Sequence, residues 1–299
     1  MPSNASVPAS DQERAALARA AGDFVISLSD GRSTLSAIAW RADLAVAPAE
    51  RLSIGDELRA HGAAGEAAAQ VVALDLATDV GVLRAARVWT REAQPTSGGA
   101  EPGVTAALVA REGADLAIDW RAIRKLGAAW RSRRGGLLDQ RIEIESGLTL
   151  PAEGSALVAA DGGVLGMVVH GARRRVLGIP YQTIERVVAE VATHGRIRRA
   201  YLGVSLLPLP LSREVSARWH TDATAALVVA DVSPGSPASD AGLDVGDLLL
   251  AADGAALQGV GAFSALIRDR VPDTVVRLAR RRGGSVDELQ VRLGERPAR

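Results

Sequence analysis

Cysteine is absent from the 299 residues of this chain. A protein without thiols has no disulfide framework and no cysteine-ligated metal site. Net charge is absent as well, since 35 acidic residues balance 35 basic ones. That balance provides no overall attraction to nucleic acid or to an anionic membrane surface. We therefore predict no nucleic-acid partner and no membrane partner, and the sequence gives no reason to expect a cofactor.

Long apolar runs are also missing. No stretch approaches the ~18 apolar residues that a membrane-spanning helix needs. The first 23 residues are polar and alanine-rich, with no basic segment followed by an apolar one, so no signal peptide is evident. As written, the sequence predicts a cytoplasmic protein, whereas a true start further upstream would predict a periplasmic one.

The composition is that of a globular protein with room for two domains, with 47% apolar and 23% charged residues. Many short apolar runs between residues 24 and 179 are separated by glycine or aspartate turns, a pattern typical of an all-β sandwich or barrel. A stretch rich in proline, glycine and serine, 91–103, is the predicted joint between two six-stranded barrels.

The clearest helix lies at Gln182–His194, where apolar residues recur at helical spacing. Pro180 precedes it, and Gly195 follows as a C-cap signal. We place the domain boundary after this helix. The predicted organisation is a disordered N-terminus at 1–12, a first domain at 13–195, a linker at 196–200 and a second domain at 201–295.

The stretch 147–180 carries the most informative pattern of the first domain. Two apolar runs, Ala156–Ala159 and Val164–His170, flank the turn 161–163 and predict a β-hairpin. This hairpin resembles the nucleophile hairpin of chymotrypsin-like proteases of the HtrA (Do-like, DegP-like) family, which carry Gly-Asn-Ser-Gly-Gly, a Leu-Val strand, an Asp-Gly turn and a closing Ile-Pro. The residues that fit this frame are Gly154, Leu157, Val158, Asp161, Gly162, Gly166, Ile179 and Pro180.

The resemblance implies a double β-barrel with a catalytic triad, in which a histidine base activates a serine and an aspartate orients the histidine. The stretch 77–83 resembles the family's aspartate motif, so Asp79 takes that place. Glu50 stands at the histidine position and Glu153 at the serine position. The oxyanion position two residues before the nucleophile is Pro151, which has no N–H to donate. The resemblance thus points to a member without an intact catalytic centre.

Two alternatives remain open. In the first, the register is displaced, Ser155 is the nucleophile and the chain is an active serine endopeptidase. In the second, Glu50, Asp79 and Glu153 converge in the former catalytic cleft and bind a hard cation such as calcium, or another ligand, or share a proton. Arginines of the loop 128–140 form a local positive patch, which is either an anion or acidic-peptide site or solvated loop charge.

The last hundred residues predict a compact α/β unit. The segments Tyr201–Val204, Val232–Ala238 and Val245–Asp247 are similar to motifs of bacterial PDZ domains with circularly permuted strand order. This resemblance implies that a peptide C-terminus adds a strand to a sheet edge, while backbone N–H groups of a loop bind its carboxylate. The predicted peptide-binding residues are Tyr201, Leu202, Gly203, Val204 and Leu206 on the loop and strand, and Phe263, Leu266 and Ile267 on the facing helix.

The resulting hypothesis is a mostly β, HtrA-like pseudoprotease with a C-terminal PDZ domain. It would bind the C-termini or exposed segments of other proteins in protein quality control, and it would not be an enzyme. Relatives of this type are often trimers, which makes a homo-oligomer one expectation.

Overall fold

The computed structural model describes residues 10–145, 153–171 and 175–296. The chain divides into two compact units, and the boundary lies between Ile197 and Arg198. This point falls inside the segment 196–200 that the sequence predicted as a linker. The end of that segment is nevertheless part of the second unit, because Ala200 is buried there and lies in a strand.

The first helix, α1 (Asp11–Gly22), begins inside the stretch that was predicted to be disordered. The Ser10 hydroxyl accepts a hydrogen bond from the N–H of Glu13 at 3.2 Å, and the Glu13 carboxylate accepts one from the N–H of Ser10 at 3.0 Å. This reciprocal capping box satisfies two N–H groups that would otherwise lack partners. The prediction of disorder over 1–12 is therefore wrong for residues 10–12, and residues 1–9 lie outside the described part of the chain.

Six antiparallel strands close the first barrel, in the order β1-β2-β3-β6-β5-β4. Their apolar side chains fill the interior, and residues of β1, β2, β3 and β6 are almost all buried. The strands are β1 (Val25–Ser29), β2 (Thr34–Ala39), β3 (Leu44–Pro48), β4 (Glu57–Gly62), β5 (Gly65–Asp75) and β6 (Val80–Ala85), with a short 3₁₀ turn at Ala49–Arg51.

A second barrel follows the loop 91–103, with the strand order β11-β14-β13-β12-β7-β8. The two predicted apolar runs at 156–159 and 164–170 form its β12–β13 hairpin. A two-stranded ribbon, β9–β10, lies between β8 and β11 in sequence. The strands are β7 (Thr105–Glu112), β8 (Asp115–Gly127), β9 (Trp130–Arg131), β10 (Leu137–Leu138), β11 (Arg141–Ile144), β12 (Ala156–Val158), β13 (Val164–His170) and β14 (Val176–Pro180).

Helix α2 (Tyr181–His194) closes the first unit and confirms the predicted helix to within one residue. It buries Ile184, Val187, Val188 and Val191 against the barrels and ends at Gly195. Those four positions share one face because helical side chains three and four apart are neighbours.

One buried cation ties α1 to both barrels. The Arg111 side chain on β7 donates hydrogen bonds to the carbonyls of Gly22 and Val25 at 2.7 Å each, and to that of Ala114 at 3.1 Å. Burial lowers the pKa of Arg111, and nearby Asp23 opposes that shift. The guanidinium is thus satisfied by three backbone carbonyls. One of them, that of Gly22, lies at the C-terminal end of α1, where the helix dipole also favours a positive charge.

The second unit is a twisted antiparallel sheet with three short helices. Its strand order is β16-β17-β18-β20-β21, and β19 pairs with β18. A separate ribbon joins β15 to β22. The elements are β15 (Ala200–Tyr201), β16 (Val204–Pro210), α3 (Arg213–Arg218), β17 (Ala225–Val232), α4 (Pro237–Asp240), β18 (Leu248–Ala252), β19 (Ala255–Ala256), α5 (Val260–Arg268), β20 (Val275–Arg282), β21 (Ser285–Arg292) and β22 (Gly294–Glu295).

Helix α5 supplies Phe263 and Ile267 to the core of this unit, where they meet Leu202, Leu227 and Val291. Two six-stranded barrels followed by an α/β unit are the fold class that the sequence predicted. Within the part of the chain that the structure describes, no helix combines the length and the apolar character needed to cross a membrane.

Candidate functional site

Asp79 and Glu50 meet where β3 and β6 lie side by side. Pro48 at the end of β3 pairs with Val80 at the start of β6, so the turn that follows β3 lies against the turn that precedes β6. The backbone N–H of Glu50 donates a hydrogen bond to Asp79 Oδ1 at 2.8 Å. Asp79 has a φ of 61°, a left-handed conformation that aspartate and asparagine tolerate better than most residues.

Glu153 joins them from the turn ahead of β12. Its Oε2 lies 3.0 Å from Nη1 of Arg51, and its Oε1 lies 3.8 Å from Nδ1 of His170. The Glu153 side chain is only 23% exposed. Because the charges of Glu50 and Glu153 both act on Asp79, the three predicted carboxylates lie near one another, and Arg51 is a cationic partner that the sequence reasoning missed. The sequence did contain a signal for Arg51, because this residue directly follows Glu50.

The pKa of Asp79 is raised to about 6, chiefly by burial and also by the negative charges of Glu50 and Glu153, although the hydrogen bond from the Glu50 N–H acts in the opposite direction. An aspartate with this pKa takes up a proton in the mildly acidic range. The charged form of Asp79 is therefore disfavoured, chiefly because the group is buried and also because two like charges stand near it.

We expect Asp79→Asn to stabilise the barrel unit at about pH 8 by ~1–2 kcal/mol, the range that a pKa raised by about two units allows once solvent screening is included. Asparagine keeps an acceptor for the Glu50 N–H and tolerates the positive φ. The sign follows from linkage, because a raised folded-state pKa makes a contribution that is present in acid and is lost as the pH rises through about 6.

Urea unfolding of both proteins at a series of pH values measures this difference. The stability gain of the variant should shrink as the pH falls through about 6. A gain that is independent of pH would contradict the electrostatic explanation.

Ser155, the alternative nucleophile, is fully buried. The carbonyl of Ser155 accepts a hydrogen bond from the N–H of Val168, and the carbonyl of Val168 accepts one from the N–H of Gly154. A hydroxyl without solvent access does not reach a substrate, so this position does not fit the active-protease alternative. Pro151, the predicted oxyanion position, lies outside the described residues.

The histidines of the first unit make other contacts. His61 pairs with Glu66 on the neighbouring strand, and His194 pairs with Glu190 on α2. His170, at the end of β13, is the one that approaches the carboxylates. Its Nδ1 lies 3.8 Å from the Glu153 carboxylate, so its neighbour there is a carboxylate rather than a hydroxyl nucleophile.

A cleft of about 920 Å³ opens beside Asp79. On its wall Arg134 lies 3.3 Å from Glu50, and the Ser132 hydroxyl is bound to the carbonyl of Ala77. In the ranges that the structure describes, no group of three or more histidine, aspartate or glutamate side chains is arranged to hold a metal ion. The geometry thus does not support the calcium alternative, since arginines stand against two of the carboxylates. Arg134, which belongs to the predicted positive patch, thus pairs with Glu50.

The second candidate site lies on the PDZ-like unit, at the start of β16. The carbonyl of Leu202 accepts a hydrogen bond from Ala238, and that of Gly203 accepts one from Ser233, both at 2.9 Å. In a trans peptide the N–H of the next residue points the opposite way. The N–H groups of Gly203 and Val204 therefore point away from the body of the domain.

Gly203 is required there by its φ of 88° and by a close approach, since an added Cβ would lie 2.2 Å from the Cβ of Ser236. Tyr201, predicted as a groove residue, donates its hydroxyl hydrogen bond to Ser233 at 3.1 Å and lies in β15. It braces the loop.

Three of the remaining predicted groove residues, Leu202, Phe263 and Ile267, are buried in the core, and three others are only half-buried. The half-buried ones are Val204, Leu206 and Leu266. Val260, which was not among the predicted groove residues, is likewise half-buried on α5 one turn before Phe263 and packs against the same core. Its spacing of three residues from Phe263 was the available signal.

Comparison with protein families and curated proteins gives three matches of note. A PDZ domain model matches residues 228–282. The chain is 28% identical over 162 residues to the probable periplasmic serine endoprotease DegP-like of Chlamydia pneumoniae, which covers 52% of this chain and 33% of that protein. It is 27% identical over 253 residues to the putative serine protease HhoB of Synechocystis, with 76% and 58% covered. The chain thus spans about a third of the DegP-like relative.

Solved structures give the same fold along almost the whole chain. The HtrA-type protease AlgW with decapeptide aligns at a TM-score of 0.72 with 21% identity, covering 95% of this chain and 99% of that one. The serine endoprotease from Yersinia pestis aligns at 0.70 with 18% identity, covering 97% and 100%. At these identities the likeness shows the fold alone.

Proposed function

Because this chain belongs to the HtrA (DegP-like) family of serine proteases with a C-terminal PDZ domain, we propose that it is a pseudoprotease that binds the C-termini of other proteins. The family combines a catalytic barrel unit with a PDZ domain, and the two differ in what this chain retains. The barrel unit retains the fold without the serine and histidine, and the PDZ domain retains a peptide-binding edge.

The observation that carries the first half is the state of Glu153. At the position where the resemblance places the serine nucleophile, the chain has a carboxylate that is paired with Arg51 at 3.0 Å. A carboxylate paired with an arginine is not a hydroxyl that a base can activate, and the nearest serine in sequence, Ser155, is buried. Loss of the nucleophile and base removes the covalent part of the mechanism.

The observation that supports the second half is the direction of the N–H groups of Gly203 and Val204. Adjacent backbone donors that both point outward are available to an anion, and the terminal carboxylate of a peptide is one that suits them. The half-buried Val204, Leu206 and Leu266 next to it favour apolar side chains. We therefore propose apolar protein C-termini as the ligand class, in the setting of protein quality control.

Two further features belong to the proposal. The names of the DegP-like relatives favour a periplasmic location, in contrast to the cytoplasmic one expected from the sequence as written. The family resemblance favours a homo-oligomer, and a trimer is the form that size-exclusion chromatography with light scattering would test.

The proposal predicts that peptides with an apolar C-terminus bind and that conversion of the carboxylate to a carboxamide weakens binding by about tenfold to a hundredfold, the range for hydrogen bonds to a charged group. Fluorescence polarisation with matched acid and amide peptides measures this. Equal binding of both forms, or no binding of either, would contradict the C-terminal mode.

Proteolysis provides the second arm. Casein should remain uncut by the purified chain, and a fluorophosphonate should not label it. If casein is cut, the label attaches and Ser155→Ala abolishes both, the chain is an active endopeptidase and the pseudoprotease proposal is wrong.

A further inference from the structure

The sheet edge that faces the proposed groove is β16, which pairs with β17 and with no other strand of the described residues. Its sequence, Val-Ser-Leu-Leu-Pro-Leu-Pro, contains two prolines at alternate positions, Pro208 and Pro210. Proline has no N–H and is confined to edge strands or bulges for that reason. The direction in which each backbone group of β16 points therefore decides what this edge offers to a peptide.

The direction at Val204 follows from its neighbours. Val204 lies opposite Val232, and the N–H of Ser233 donates to the carbonyl of Gly203. In an antiparallel ladder such flanking bonds identify Val204 and Val232 as a pair that exchanges no hydrogen bonds. The N–H and carbonyl of Val204 consequently point to the free edge.

The same holds for Leu206, which lies opposite Val229. Val229 uses both of its backbone groups on the other side, since its N–H donates to Asp247 and its carbonyl accepts from Gly246. Leu206 therefore also directs its N–H and carbonyl outward. Strand alternation then places the nitrogens of Pro208 and Pro210 at the next two outward positions.

The C-terminal end of β16 gives an independent check. The N–H of Leu211 donates to the carbonyl of Thr224. That bond flanks the pair of Pro210 and Ala225, so this pair too exchanges no hydrogen bonds, and Pro210 faces outward. Both prolines thus lack their N–H on the side where an added strand would seek it.

We propose that Pro208 limits recognition to the last three or four residues of a bound protein C-terminus. This inference rests on the proposed function and specifies its ligand. The terminal residue would face Val204, the residue two positions before it would face Leu206, and each of these would find the full set of backbone partners. The residue four positions before the end would face Pro208 and would find an acceptor without a donor.

A length series tests this. Acetylated peptides that end in valine, leucine or phenylalanine, extended at the N-terminus by alanines from three to six residues, are titrated against the intact chain by fluorescence polarisation competition. We expect affinity to level off at about four residues. Pro208→Val returns the missing N–H, and we expect it to tighten the six-residue peptides by about three- to tenfold, the factor that one ordinary net hydrogen bond provides. The three-residue peptides should be unaffected.

Pro210→Val is the matched control, since it makes the same change at an outward position that the acetylated five-residue peptides do not reach; Pro208→Val should tighten those peptides and Pro210→Val should not. Thermal unfolding checks that both variants remain folded. Affinity that rises steadily to six residues in the wild type, with no gain in Pro208→Val, would overturn the inference while the proposed function stands. Failure of every peptide to bind would overturn the proposed function itself.

Discussion

Gly154→Ala should cost the barrel unit about 3–5 kcal/mol of unfolding free energy, the sum of a left-handed backbone penalty and overpacking against rigid backbone. The φ of Gly154 is 82°, and an added Cβ would lie 1.9 Å from the carbonyl oxygen of Ser36. That oxygen belongs to β2 in the first barrel, so the turn before β12 has no freedom to move away. Urea unfolding followed by tryptophan fluorescence would measure the loss.

Gly162→Ala is the matched control on the same hairpin. Gly162 has a φ of 80°, but an added Cβ would meet no atom within 4 Å. It should therefore pay only the backbone penalty of about 1–2 kcal/mol. Similar losses in the two variants would mean that the contact with Ser36 is not what makes glycine necessary at 154.

Asp247→Ala should destabilise the PDZ unit by about 2–4 kcal/mol, because it removes the buried partner of an ion pair together with a backbone acceptor. Asp247 is 1% exposed. Its two oxygens accept hydrogen bonds from Arg282 at 2.6 and 2.7 Å, and Oδ2 also accepts from the N–H of Asp244 at 2.9 Å. The expected result is a PDZ unfolding transition at clearly lower urea concentration, with the barrel transition unchanged.

The pH dependence of this loss has a definite sign. Burial by itself would raise the pKa of Asp247, but the hydrogen bonds from Arg282 and Asp244 outweigh it and hold the pKa below its ordinary value of 3.8. A depressed folded-state pKa stabilises above the ordinary value and loses that contribution as the pH falls through the folded value. Wild type and variant should therefore differ at neutral pH and approach each other only in acid.

Asp287→Ala is the control for charge alone. Asp287 pairs with Arg280, but its side chain is 50% exposed, and exposed pairs contribute little. The variant should unfold near the wild-type midpoint. If it is as damaging as Asp247→Ala, net charge on this face rather than the buried pair determines stability.

The place of Asp247 was visible in the sequence, because Val245-Gly246-Asp247 is a PDZ motif. Its partner was not, since Arg282 lies 35 positions away on β20. The same division holds at the barrel cleft. Glu50, Asp79 and Glu153 were assigned to one place by resemblance to the family frame, while the arginines that neutralise them come from a 3₁₀ turn and from the loop after β9. Ion-pair partners that are distant in sequence depend on how the barrels close.

At the N-terminus, by contrast, the prediction missed a feature that is local in the sequence. Ser10 and Glu13 have the spacing of a capping box, yet the polar composition around them led to a prediction of disorder. Local hydrogen bonds between residues three apart were sufficient to begin the helix at Asp11, so this feature could have been read from the sequence.

The sequence by itself determined the class of the fold, the two barrels, the PDZ unit and the main helix, and it predicts carboxylates at the positions that the family resemblance assigns to serine and histidine. These follow from periodic apolar patterns and from short motifs, which are local properties of a chain. Only the tertiary structure decided the raised pKa of Asp79, the burial of Ser155 and the outward direction of Val204, Leu206 and Pro208. Each of these depends on which distant backbone or charge lies alongside, and strand pairing sets that.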